Sequence, residues 1–413
     1  MAINELYLLF LASSGICTDT RKLQSGVLYV ALKGDNFDGN DYVAKALEQG
    51  ASHAISSDAS FENRADVTVV SDTLKTLQEL ASYHRKELGL PVIGLTGSNG
   101  KTTTKELILS ILSQSYKVKG TVGNLNNHIG VPLTLLSFDK QTEIGVVEMG
   151  ANHQGEIAAL SQIADPDYGL ITNFGKAHLE GFGGIEGVKK GKSELYKYLN
   201  KHHKTAIVLH SDDEQLARTK ELNRIFTTDL QLLEASPIQF NYKGTLVKTQ
   251  LTGAYNFNNM LLAIEVGEIM KVPKDAIIKG LESYSPTNNR SQLIKQDSSL
   301  IILDAYNANP TSMRVALENL AQYSGTRTAI LGDMFELGDY ARIEHQSICD
   351  YAEELDIENI ILIGANFVNV ASTKALKLKS IDDIDKNKLL DYNKDQTILI
   401  KGSRGMALER LIS

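Results

Sequence analysis

Residues 94–108 read GLTGSNGKTTTKELI. The apolar residues Val92, Ile93 and Leu95 run into Gly97 and Gly100, and after Lys101 and Thr102 the pattern becomes that of an amphipathic helix. Glycines let backbone amides turn toward an anion without a Cβ in the way. The helix start behind them adds unpaired N–H groups and a partial positive charge. Lys101 would neutralise β and γ phosphates, and the Thr102 hydroxyl would bind Mg²⁺. The general GxxxxGK[ST] pattern is met only in part, because Leu95 stands where its first glycine belongs. Thr96, Gly97, Ser98, Asn99, Gly100, Lys101, Thr102 and Thr103 are therefore the candidate phosphate cradle.

Outward from this loop, short Val/Ile/Leu runs alternate with longer helical stretches: PVIGLT from Pro91, EIGVVEMG from Glu143, YGLITNF from Tyr168 and TAIVLH from Thr205. Nearly continuous apolar runs of this kind predict parallel strands covered by helices on both faces. A second series follows, with LIILDAY from Leu300, RTAILGDM from Arg327, NIILIG from Asn359 and TILIKGS from Thr397. VLYVAL from Val27, HAIS from His53 and VTVV from Val67 suggest a smaller α/β unit at the start. Gly89-Leu90-Pro91 and the polar SYSPTNNR from Ser283 are the seams. The expected fold is thus α/β in three domains: a small N-terminal α/β substrate domain, 1–88; a central parallel-sheet ATPase domain of P-loop type, 89–285; and a C-terminal Rossmann-like α/β domain, 286–413.

Composition narrows the partners. The chain has 413 residues, 42% hydrophobic and 22% charged, which excludes disorder as its main state and suits two or three domains. A net charge of −8, spread along the whole length, argues against nucleic acid or an anionic membrane surface. Small molecules are the expected partners. Cys17 and Cys349 form neither a disulfide framework nor a metal motif, which fits a reducing cytoplasm. No run approaches the ~20 apolar residues of a membrane span, and Asn4 and Glu5 stand where a signal peptide would be basic.

TGSNGKTT resembles the loop of the Mur ligases and their folylpolyglutamate synthetase relatives. GNLNNHIGVPLTLL from Gly123, VVEMGANHQGEI from Val146, TNFGKAHLEGFG from Thr172, GKSELY from Gly191 and DAYNANPTSM from Asp304 are similar to the branch that joins D-alanyl-D-alanine to UDP-N-acetylmuramoyl-tripeptide. TDTRKLQSGVLYVALKG from Thr18 and KGSRGMALE from Lys401 extend the resemblance over nearly the full length. It implies an ATP-dependent acid–amino-acid ligase of cytoplasmic peptidoglycan precursor synthesis, acting as a monomer through an acyl phosphate. Its substrates would be UDP-MurNAc-tripeptide and D-Ala-D-Ala.

The resemblance also implies roles. Lys101, Glu148, His178 and Lys192 would be catalytic. Two Mg²⁺ ions would be held by Thr102, Glu148, His178 and a carbamylated Lys192. Read from chemistry alone, Glu148 at a strand end is an ordinary Mg²⁺ ligand, whereas histidine is a poor one. By the same reading Lys192, in a run with Lys189 and Lys190, is a surface lysine. Carbamylation needs an amine with a depressed pKa, and its product is an anionic ligand. GAYNFNNMLLAI from Gly253 resembles the family's Gly-x-His-Asn-x-x-Asn helix with Tyr255 in the histidine's place, which implies Asn256 and Asn259 on the adenine side. An asparagine near a helix start is equally an ordinary cap. Arg290 would meet phosphate and Asp304 ribose, with Asn289 where the family has glycine before the arginine. Thr18, Asp19, Thr20, Arg21, Lys33 and Gly34 would hold the uridine diphosphate sugar, and Asn126 and Asn127 would orient peptide or phosphates. Asn307, Asn309, Asp333 and Glu336 would meet the incoming dipeptide, and the DNPR signature of the diamino-acid-adding step is absent. The rival readings are another amide ligase of the superfamily, namely a different Mur step or a folylpolyglutamate synthetase, and a nucleotide-dependent switch or binding module.

Overall fold

The computed structural model describes residues 1–286, 289–384 and 395–412. Thr287 and Asn288, within the polar seam at SYSPTNNR, lie outside the described residues. The structure is α/β, built on three sheets in which parallel pairing dominates.

The first sheet is wholly parallel, in the order Ile16–Cys17, Leu28–Val30, His53–Ser56, Val67–Val69. The helix Thr73–Leu88 then crosses to the next unit. Asp72 caps its start by accepting from the Lys75 N–H, and Gly89, at φ +62°, ends it in the left-handed conformation that glycine adopts without strain. Leu77, Leu80 and Ala81 on its inner face share a core with Val131, Leu135 and Leu160 of the middle unit.

The central sheet has six parallel strands, in the order Asn223–Phe226, Thr205–Val208, Tyr168–Ile171, Val92–Thr96, Ile144–Glu148, Val118–Gly120. Every residue of Val92–Thr96 and of Ile144–Glu148 is buried, as continuous apolar runs in a two-faced sheet require. Both strands end at the same sheet edge. The third sheet runs Gln292–Gln296, Ser299–Asp304, Gln396–Lys401, Thr326–Gly332, Asn359–Ile363, Leu376–Leu378, with an antiparallel first strand and the rest parallel.

Sequence reading did not anticipate the antiparallel meander Leu232–Ala235, Ile238–Tyr242, Thr245–Lys248. Its middle strand buries Ile238, Phe240 and Tyr242 and exposes the residues between them more, the period-two pattern of a sheet with one wet face. The third unit is docked on the second. Leu179, Phe182 and Val188 of the middle unit belong to the core that contains Met313, Leu331 and Leu337 of the last.

Candidate active site

Gly97 and Gly100 are glycines for measurable reasons. Gly97 has φ +146°, and a Cβ there would lie 2.0 Å from the Thr172 Oγ1. Gly100, at φ +79°, precedes the helix Lys101–Leu112, and a Cβ would fall 2.5 Å from the Asn259 Oδ1. The neighbouring strand end braces the loop. Thr172 Oγ1 and Asn173 Nδ2 donate to the Asn99 carbonyl at 2.5 and 3.0 Å, and Ser98 Oγ donates to the Gly175 carbonyl at 2.7 Å.

Lys101 Nζ donates to the Gly97 and Ser98 carbonyls at 2.7 and 3.3 Å. Its side chain is only partly covered, but the ammonium lies beneath the loop. Burial there pulls its pKa below the ordinary lysine value, against the raising pull of Glu148. Glu148 ends its strand fully buried; its Oε1 accepts from Asn126 Nδ2 at 2.8 Å. Its Oε2 has no hydrogen-bond partner among the described residues, and Lys105 Nζ lies 4.0 Å away. A buried carboxylate oxygen without a donor, lining the same cavity as the buried Thr102, is chemically suited to a hard cation. Among the described residues no group of three or more His, Cys, Asp or Glu side chains is placed to hold a metal; Thr102, Glu148 and His178 all line one cavity.

His178 has φ +52°, and its Nδ1 faces the Glu336 carboxylate of the last unit. That contact holds the Glu336 pKa below the usual carboxylate range. Lys192 is fully buried, with Nζ 3.0 Å from the Ala151 carbonyl and 5.0 Å from the Phe182 ring centroid. Burial above all, and then the charge of Lys101, drive its pKa well below the lysine norm. The surface-lysine reading is thereby corrected: the helix Ile185–Lys192 turns Lys192 inward while Lys190 stays exposed.

From the last unit, the Arg290 guanidinium lies 3.5 Å from the Tyr306 ring centroid, with its Nε buried and unpartnered among the described residues. Asp304 accepts from the Ser291 N–H at 3.1 Å and from Lys401 Nζ at 2.5 Å. Strand register sets Asp304 beside Lys401. One cavity of about 560 Å³ is lined by the loop from Ser98 to Thr103, by Asn126, Asn127, Glu148 and His178, by Asn256 and Asn259, and by Arg290, Asp304, Asn307, Asn309 and Lys401. Lys192 does not line it; its ammonium sits behind Ala151, which does.

Several expected residues are committed to the protein itself. Asn259 Nδ2 donates to Asn256 Oδ1 at 3.0 Å, Asn256 Nδ2 to the Thr252 carbonyl at 2.8 Å, and Thr104 Oγ1 to Asn259 Oδ1 at 3.1 Å. This chain buttresses Gly100. Asn127 Oδ1 accepts from the Ile129 and Gly130 N–H groups, and Asn307 Oδ1 from the Ala308 N–H. Asn309 caps the helix Pro310–Ala321. Asp333 is buried outside the cavity, where its carboxylate accepts from the Asn366 and Phe367 N–H groups at 2.9 and 3.0 Å. Thr18, Asp19, Thr20, Arg21, Lys33 and Gly34 are likewise apart from the cavity. They follow the strands Ile16–Cys17 and Leu28–Val30 at one edge of the first sheet, with Asp19 paired to Arg21 and Lys33 to Asp38. Sequence reasoning missed Lys401, although it ends an apolar strand just as Glu148 and Asp304 do.

Comparison with known proteins finds relatives over nearly the whole chain. Family models for the Mur ligase family catalytic domain, the Mur ligase middle domain and the Mur ligase glutamate ligase domain match residues 13–96, 95–267 and 289–404. The UDP-N-acetylmuramoyl-tripeptide–D-alanyl-D-alanine ligase of Bacillus subtilis is 37% identical, over 96% of this chain and 92% of its own. The ligase of the same name from Escherichia coli is 33% identical with the same coverage. Among solved structures, MurF from Acinetobacter baumannii superposes with a TM-score of 0.87 at 33% identity, covering 98% of this chain and 96% of that one. MurF from Thermotoga maritima in complex with ADP superposes at 0.86 with 28% identity, covering 97% of each chain.

Proposed function

The chain belongs to the Mur ligase family, and from that premise we propose that it uses ATP to join D-alanyl-D-alanine to UDP-N-acetylmuramoyl-tripeptide, as its relatives' names describe. The observation that carries the reading is the shared cavity: phosphate loop, buried carboxylate and the arginine of a separate unit face one space. ATP use is supported by the ADP complex of a relative.

A carboxylate resists amide formation because oxide is a poor leaving group. In the proposed first step a carboxylate oxygen of the tripeptide attacks the γ-phosphorus and ADP leaves. In the second, the dipeptide amine attacks the acyl carbon, phosphate departs and the amine loses its proton. Lys101 and Arg290 screen the charge on the transferred phosphoryl group. Thr102, Glu148 and His178 would hold Mg²⁺, which supplies further charge neutralisation when bound. Burial lowers the Lys192 pKa and so favours the neutral amine, the form that adds CO₂. The resulting carbamate would be an anionic ligand in place of a cation. We assign the diphosphate sugar to 1–88, ATP to 89–285, and completion of the ATP site and the dipeptide to 286–413, in a cytoplasmic monomer. No described helix is long and apolar enough to cross a membrane.

The test is ADP release with substrates supplied singly and together. Turnover is expected only with UDP-MurNAc-tripeptide and D-Ala-D-Ala both present. Equal ADP release without either substrate would favour the nucleotide switch, and turnover on another acid–amine pair would favour a different ligase.

A further inference from the structure

One contact ties the phosphate loop directly to the last unit of the chain. Asn309 Nδ2 donates to Asn99 Oδ1 at 2.6 Å, and Asn99 Nδ2 faces Asn309 Oδ1 at 3.4 Å, so two side chains 210 positions apart meet as a reciprocal amide pair. Asn309 Oδ1 also accepts from the Ser312 N–H at 2.9 Å, which fixes it at the start of the helix Pro310–Ala321. A second contact lies alongside, where the Lys176 N–H donates to Thr311 Oγ1 at 2.8 Å. Gly175 separates the two. A Cβ on it would fall 2.8 Å from Asn99 Nδ2 and 3.1 Å from the Thr311 Cβ, so backbone, loop and helix start are in close packing there. Asn99 is thus engaged on both sides: its carbonyl is held by Thr172 and Asn173, its amide by the last unit.

We propose that Asn99 and Asn309 are positioning residues that couple the set of the phosphate loop to the docking of the last unit. The inference rests on the nucleotide reading of the loop. Neither amide has to touch the reacting atoms. If Asn99 is where the two units register, an ordered loop presents the amide that Asn309 needs, and a docked Asn309 helps hold the loop's Asn99–Gly100 turn. Arg290 and Asp304 travel with the same unit, so the pair also sets where they stand over the cavity. Coupling of this kind is carried by a specific polar contact between two bodies, and cutting either end should have the same effect.

The test compares Asn99→Ala, Asn309→Ser and the double variant in the full chain. Serine keeps a helix-capping oxygen but is too short to reach Asn99. Three measurements are made: kcat/KM for the dipeptide, affinity for the non-hydrolysable ATP analogue AMP-PNP, and the radius of gyration by X-ray scattering with AMP-PNP bound. The expectation is a fall in kcat/KM of at least fivefold in each single variant, no further fall in the double, and a larger radius of gyration than wild type at saturating AMP-PNP. Effects that multiply in the double variant, or single variants with wild-type kinetics and scattering, would overturn the coupling. Should Asn309→Ser fail to fold, Asn99→Ala, which caps no helix, carries the test alone: a fall in kcat/KM together with a larger radius of gyration at saturating AMP-PNP supports the coupling, and wild-type scattering overturns it. Wild-type protein that fails to bind AMP-PNP would instead sink the nucleotide reading, and the coupling with it.

Discussion

Lys192 is the residue whose surroundings depart furthest from what its type prefers. A fully buried ammonium against an aromatic ring and one carbonyl is costly unless the charge is lost, and its lowered pKa expresses that. If it carries the carbamate proposed above, Lys192→Ala removes that anion and is expected to lower kcat on the order of a hundredfold, as loss of one preorganised charge in an active site does. Added formate or acetate should return part of the activity by standing in for the carbamate oxygens. Steady-state assays with and without the salt check this; a variant as active as wild type would remove Lys192 from the mechanism. At this scale the sequence was informative about strand ends. Glu148 and Asp304 both follow apolar runs, and both line the cavity. Asp333 follows such a run too, yet its side chain turns to cap backbone N–H groups of the next connection. Composition and spacing carry no information about which way a strand-end side chain turns.

At the scale of elements, the same carboxylate gives a stability prediction. Asp333 satisfies the N–H groups at the start of the short helix Phe367–Asn369 and draws the loop after the strand Asn359–Ile363 against its neighbour. Asp333→Ala would strand those donors, costing about 1–3 kcal/mol. Chemical denaturation should show the loss, while the KM for the dipeptide stays within twofold of wild type. A large rise in KM without loss of stability would instead support Asp333 as a dipeptide contact. The parallel strands of the central and last units were legible because two-faced burial writes itself as unbroken apolar runs. The meander Leu232–Lys248 was not, because its strands are short and only one face is dry. The asparagines of the helix Tyr255–Ile269 were legible as a pair on one face. Their placement beneath Gly100 depends on how that helix packs on the helix Lys101–Leu112, which no local pattern encodes.

For the whole molecule, nucleotide binding and structure are interdependent, since the cavity is walled by two units. ATP analogue with Mg²⁺ at a hundred times its Kd should add about 2.7 kcal/mol to stability, by mass action alone. Thermal unfolding should register it as a raised Tm. Lys101→Ala should lose most of that gain, and an unchanged wild-type Tm would contradict nucleotide binding at the loop. Beside the apolar core that the two units share, the docking of the last unit includes polar, scattered contacts that sequence reading could not reach: Asn99 with Asn309, Lys176 with Thr311 and Glu344, His178 with Glu336. Each is an ordinary surface residue until the fold brings its partner.

If the cavity activates a carboxylate by phosphorylating it, an oxygen atom must pass from the tripeptide to phosphate. Tripeptide substrate labelled with ¹⁸O in its terminal carboxylate, turned over with unlabelled ATP and D-Ala-D-Ala, follows that atom directly. Mass spectrometry of the released phosphate should find one ¹⁸O atom per amide formed, carried across by the acyl phosphate. Phosphate free of label, with amide still produced, would show that the carboxylate oxygen never met the γ-phosphorus.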